Sequence, residues 1–107
     1  MIKAEFKKRG GSLCGFRVSG HSGYSVSGSD IVCAAVTSAV QFAVNLISEG
    51  FGVRSDLNVD GDSAVIDFGF DGGDERARKV AETLMQELTA LQQDHPENIR
   101  VVETTLN

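Results

Sequence analysis

His21 and Cys33 stand twelve positions apart in this chain, and they are the residues whose chemistry is easiest to state. An imidazole within reach of a thiol is a base beside a nucleophile, the pair used in covalent acyl transfer. The stretch between them is mostly Gly and Ser, which offers little to pack and serves as a pliable tether. His21 follows directly on Gly20 and a strand end, so the base is mounted at the border of rigid structure. Ser29 or Asp30 is placed to cap an apolar helix, and with Asp30 as the cap Cys33 falls within its first turn. Unpaired backbone N–H groups and the helix dipole there favour a thiolate, and the same N–H groups suit an oxyanion. Asp30 has a second role open to it, holding the imidazole of His21 in one tautomer.

Each of these residues has a plainer alternative. Cys33 on its own reads as a core residue between Val32 and Ala34, and His21 on its own as an exposed loop histidine. Their joint placement on one short tether weighs toward the catalytic reading. Cys14 sits in mid-strand, away from any helix start, and reads as structural. His95, just before Pro96, reads as a helix-end residue. The cysteine and histidine spacings match no zinc pattern, so no metal or other cofactor is expected. Gly20-x-x-Gly23-x-x-x-x-Gly28 lacks the Lys-Ser/Thr that completes a phosphate-binding loop.

The surrounding elements must position that pair. Residues 2–8 alternate, with Ile2, Ala4 and Phe6 on one face, and residues 13–19 alternate again with Cys14, Phe16 and Val18 together. Arg9-Gly10-Gly11-Ser12 turns the chain between them into a hairpin. Residues 30–48 form a helix that is apolar around most of its circumference, with Thr37, Gln41, Asn45 and Ser48 as a narrow polar stripe. Such a helix is expected to be buried on several sides and to end on Gly50 as a left-handed cap. Val53, Ser55, Leu57 and Val59 alternate, Asp60-Gly61 turns, and Ala64, Ile66, Phe68 and Phe70 alternate, giving a second hairpin. From residue 74 to 94, Ala77, Val80, Ala81, Leu84, Leu88 and Leu91 keep the spacing of an amphipathic helix, stopped by His95-Pro96. A short strand over 99–105 closes the chain. The order ββαββαβ specifies an α/β chain of the α+β type, with one mixed, largely antiparallel sheet and two packed helices.

With 41% hydrophobic residues in 107, the chain suits a single domain over 1–107 with one core. A formal charge of -5 and a pI near 4.8 give no footprint for direct nucleic-acid binding. Lys7, Lys8 and Arg9 read as a solvated hairpin tip. No signal peptide is evident, and Thr37, Ser38, Gln41 and Asn45 interrupt the longest apolar run, so no membrane span is expected. A cytoplasmic protein follows, in which Cys14 and Cys33 stay reduced.

Gly20-His21, the glycine-bearing stretch and Asp30-Ile31-Val32-Cys33-Ala34-Ala35-Val36 together resemble the signature of the ribosomal-processing cysteine protease family, usually called Prp. The element order and the closing segment Pro96-Glu97-Asn98-Ile99-Arg100 are similar as well, so the likeness covers nearly the whole chain. The resemblance implies a cytoplasmic homodimeric endopeptidase that removes an N-terminal extension from large-subunit ribosomal protein twenty-seven. In that family the cut follows an aromatic-rich segment ending in Phe-Phe or a close variant. By the match, Cys33 is the nucleophile and His21 the base, Asp30 orients or caps, and Gly20 and Thr37 lie on the substrate side. Ser22 stands where an alanine is common, and Thr37 replaces a common serine while keeping its hydroxyl. Two rival readings are a non-catalytic module that binds a ribosomal protein, and a thiol redox protein using Cys14 as the resolving residue.

Overall fold

The computed structural model describes residues 1–20, 29–61 and 64–107. In chain order the elements are β1 (Ile2–Arg9), β2 (Ser12–Ser19), α1 (Ser29–Asn45) with a π-helical turn Leu46–Gly50, β3 (Ser55–Asp60), β4 (Val65–Phe70), α2 (Glu75–Asp94) and β5 (Ile99–Leu106). The five strands make one sheet in the order β3-β4-β2-β1-β5. Every neighbouring pair is antiparallel except β1 with β5. This is the mixed α+β architecture expected from the alternation of residues.

One face of the sheet carries the apolar set. Phe6 pairs with Phe16 and Phe16 with Phe68, so three rings line up across the sheet with centroids 5.7 and 5.3 Å apart. Such tilted contacts add to the burial of the rings themselves. Ile2, Ala4, Val18, Ile66 and Ile99 complete this face, and the helices bury it with Val36, Val40, Ile47, Ala81 and Leu88. Packed against β2 and β5, α2 also touches α1.

A bulge alters the expected phase of β2. Lys7 pairs with Gly15 but Lys8 with Leu13, leaving Cys14 as the extra residue. Leu13 therefore turns into the core at 3% exposure, while Cys14 is half-buried and lines the sheet's other face beside Arg54 and Asp67. The expectation that Cys14 shares a face with Phe16 and Val18 is thus corrected. Gly15 is required beside the bulge, because a Cβ there would lie 2.5 Å from the Phe68 carbonyl oxygen.

The end of α1 also departs from expectation. The last turn widens to a π-helical turn, and the left-handed residue is Gly52 (φ 64°), two positions beyond Gly50. Val53 N then donates to Ile47 O at 2.9 Å, which brings the chain back toward β3. At its own start, α2 is capped by Asp74, whose carboxylate accepts from Arg76 N at 2.9 Å and Ala77 N at 3.1 Å. The Arg76 side chain grips the same carboxylate at 3.0 Å and lays its guanidinium 5.2 Å from the centre of the Phe51 ring. That side-chain bond, followed by the Ala77 N–H, holds the Asp74 carboxyl below its ordinary value. His95 closes α2 through its backbone N–H on Leu91 O.

The sheet and α2 cover two sides of α1 and leave the remainder open, which narrows the expectation of burial on several sides. Val32, Val36, Val40, Ala43, Val44 and Ile47 are buried, yet Ile31 is 75% and Phe42 69% exposed. The stretch Ile31–Gly50 is long and apolar enough by composition to cross a membrane, with a mean hydropathy of 1.8, despite its polar interruptions. Its buried valines meet the sheet, the arrangement of a core helix.

Candidate active site

The backbone of Ser29 already belongs to α1, so Cys33 is the fifth helical residue, just past the first turn rather than within it. Cα–Cβ bonds tilt toward a helix N-terminus, so its side chain still leans back over the opening N–H groups. Cys33 is half-buried and packs against the edge of the core. At 100° per residue, Phe42 lies about 180° round the axis from Cys33, so the two occupy opposite flanks of α1. The Phe42 flank faces α2 across a groove of about 500 Å³ lined with Ala39, Leu46, Phe51, Val80 and Leu84. Cys33 and Thr37, one turn apart and both half-buried, share the other flank.

Sheet register fixes what lies at that end of the molecule. Val18 pairs with Ile66 and Ile66 with Val59, so β2 and β3 finish at the same end of the sheet. The chain leaves α1 and enters β3 at the opposite end, through the Val53 to Ile47 bond. Running back over the sheet from there, α1 has its first turns, and Cys33 with them, toward the end where β2 finishes.

Gly20 closes β2 at that end with φ 86°, and a Cβ on it would run into the carbonyl oxygen of Met1. No side chain fits there, so Gly20 sets the direction in which the chain departs toward His21. The start of β1 is pinned from its other side, where Ile2 N donates to Asn98 O at 2.8 Å. Asn98 in turn belongs to a turn closed on His95 O. The segment 96–100 singled out in the sequence is thus the brace of the strand start against which Gly20 rests. Sequence reasoning had no access to this contact between residues 1 and 20, because it depends on the β1–β2 pairing.

His21 lies outside the described residues, and so do the side chain of Asp30 and its expected capping or orienting role. Cys14 and Cys33 are both free thiols, on opposite faces of the sheet. A Cys14–Cys33 redox pair is therefore not assembled by this fold.

Compared with known proteins, residues 1–100 match the family model described as cysteine protease Prp. The chain belongs to the cysteine protease Prp family. Within that family, the ribosomal processing cysteine protease Prp of Bacillus subtilis (strain 168) is 31% identical over 108 aligned positions, covering 94% of this chain and 96% of that one. Among solved structures, SMU.848 from Streptococcus mutans superposes with a TM-score of 0.88 at 27% identity, covering 99% of both chains. The essential ribosomal processing protease Prp from S. aureus, in complex with a substrate peptide, shares the fold with a TM-score of 0.90 at 24% identity, covering 97% of this chain and all of that one. As a member of the Prp family the chain is a cysteine protease of the ribosomal-processing kind.

Proposed function

We propose that this Prp-family protease removes the N-terminal extension of large-subunit ribosomal protein twenty-seven in the cytoplasm, with Cys33 as nucleophile and His21 as base. The observation that carries the reading is the placement of Cys33. It is a half-buried thiol near the N-terminal end of α1, on the flank that α2 leaves uncovered. A relative's structure holds a substrate peptide, and another holds a covalently linked product peptide. Both bear on a peptide carbonyl as the target of the thiol.

In the proposed reaction His21 takes the thiol proton and the sulfur attacks the carbonyl carbon that follows the aromatic segment. A C–S bond forms, and the carbonyl electrons move onto oxygen, facing the free N–H groups at the start of α1. Collapse breaks the C–N bond while His21 returns its proton to the leaving amine. Water, deprotonated by His21, then attacks the thioester carbon, releasing the carboxylate product and the thiol. Asp30 is assigned to capping α1 or steadying His21, and Thr37 and Gly20 to the substrate side.

The chain is proposed to work as a homodimer. Ile31 and Phe42 on the exposed flank of α1, with Phe51 at 38% exposure, form the apolar surface that a second copy would cover.

The deciding experiment incubates the purified chain and its Cys33→Ala form with the full-length ribosomal protein bearing its extension, and reads product mass. A single trimmed product from the wild type and none from the variant is the expected result. Intact substrate with both, alongside a stable complex on a sizing column, would replace this reading with a non-catalytic binding module.

A further inference from the structure

The two edges of the sheet differ in what their outward backbone groups meet. On β5, Asn98 O accepts from Ile2 N, so alternate residues from Asn98 turn toward β1 and those from Ile99 turn outward. The first outward N–H groups there are already taken, Ile99 N by His95 O and Val101 N by the Gln92 side chain. On β3, Asp71 N donates to Arg54 O, so Arg54, Asp56, Asn58 and Asp60 turn their backbone groups toward β4. Ser55, Leu57 and Val59 turn theirs outward, where no partner receives them among the described residues. Val53 N points outward too but donates to Ile47 O, which ends the open run. The side chains of Leu57 and Val59 stand opposite the buried Phe68 and Ile66, on the helix-bearing face, and are 47% and 64% exposed. Lys, Pro and bulges, the common guards of an edge, are missing from Ser55–Asp60.

We propose that a second copy of this chain pairs antiparallel with the first along β3, with Leu57 facing Leu57 across a two-fold axis. This goes beyond the peptidase reading and does not depend on it. The strand itself selects that occupant and register. Outward groups sit on Ser55, Leu57 and Val59, so only rows that set these residues against one another form hydrogen bonds. With Leu57 on the axis the rows are Ser55 with Val59, Leu57 with Leu57 and Val59 with Ser55, each exchanging two bonds. A slip of one residue sets outward groups against residues already bonded to β4. A slip of two drops a row and opposes Asp56 of one copy to Asp56 or Asp60 of the other, and like charges directly opposed destabilise a sheet. In the axial register Asp56 faces Asn58 instead. That amide already donates to Asp56 within its own strand at 3.3 Å and has a second N–H to offer. Beyond it Arg54 faces Asp60, opposite in sign. On the helix-bearing face the two Leu57 side chains meet, with the two Val59 side chains on the diagonals. Charges and apolar residues that complement themselves about one point make an isologous contact. It is a small one, well under the roughly 1,200 Å² of a stable interface. Pairing through β3 therefore follows, at higher concentration, the pairing proposed for α1, and joins dimers into tetramers.

The test follows the full chain by sedimentation over a rising concentration series. The wild type is expected to pass from dimer to tetramer, and Phe42→Lys, with its α1 surface disrupted, from monomer to dimer. Leu57→Lys, at an exposed position, should remove the larger species in both backgrounds, because two ammonium groups then meet on the axis. Mixing Leu57→Lys with Leu57→Glu chains should restore it, a rescue peculiar to the register with Leu57 on the axis. Amide exchange on the associated wild type gives a second reading. Ser55, Leu57 and Val59 should gain protection, while Asp56 and Asn58, bonded to β4 already, stay unchanged. The proposal is overturned by a wild type with no larger species at any concentration, by a series that Leu57→Lys leaves unaltered, or by protection without alternation. A mixture that fails to associate overturns the axial register. Loss of processing in Leu57→Lys with unchanged sedimentation would reassign the edge to a peptide strand.

Discussion

At the scale of single residues, two glycines with left-handed backbones separate strain from function. Gly52 (φ 64°) has open space where a Cβ would go, whereas Gly20 (φ 86°) has the Met1 carbonyl there. An L-residue in this conformation costs about 1–2 kcal/mol, so Gly52→Ala and Gly20→Ala should both lower the melting midpoint. Only Gly20→Ala should also slow processing, because the clash must move either the start of β1 or the chain leading into His21. Equal processing rates in the two variants would remove Gly20 from the site. Cys14 offers a second contrast. Its Sγ donates to Lys7 O at 3.6 Å on the bulge, on the far face of the sheet from α1. Cys14→Ser should therefore leave processing intact where Cys33→Ala abolishes it, and mass spectrometry after mild oxidation should find no Cys14–Cys33 bond.

Individual elements carry the stability. Phe16 is fully buried between Phe6 and Phe68, so Phe16→Ala should cost about 3–5 kcal/mol in denaturant unfolding, the range for a large core ring replaced by a methyl group. The opening turn of α2 depends on Asp74, which caps Arg76 N and Ala77 N while Arg76 grips its carboxylate. Because its folded-state value is depressed, the carboxylate's contribution is complete above the ordinary carboxylate value. It is lost as pH falls through the depressed one. Asp74→Asn, which keeps a capping oxygen without the charge, should flatten the acid limb of the stability curve measured by urea unfolding at a series of pH values. An unchanged acid limb would assign that pH dependence to other carboxylates.

For the molecule as a whole, net charge and exposed apolar surface govern encounters. A chain with formal charge -5 meeting a basic ribosomal protein gains from long-range attraction that salt screens over about 10 Å at 0.1 M. KM for the full-length ribosomal protein should therefore rise with added salt, while KM for a short uncharged peptide should stay nearly flat. The exposed Phe42 flank of α1 makes a separate prediction. Phe42→Lys should turn the proposed dimer into monomers in sedimentation without unfolding it, because the residue is 69% exposed within one chain. A dimer that survives this change would move the interface elsewhere.

Much was legible in the residues themselves. Local alternation specified β1 and β4, the three-four spacing of Ala77, Ala81, Leu84 and Leu88 specified α2, and His95-Pro96 marked its end. His21 and Cys33 stood out because reactive types are few and their tether is short. Other features required the assembled sheet. Cys14 changed faces because a bulge between paired strands shifted the phase, and no single strand records its partner's register. The half-exposed α1 and the exposed Leu57 and Val59 also escaped the pattern, since alternation tells which residues share a face but not whether anything covers it. Coverage is settled by strand order and by how far each helix extends. Local chemistry and periodicity in the sequence thus determined the elements and the candidate nucleophile, while non-local pairing decided that β3 is an edge and that Gly20 rests on Met1.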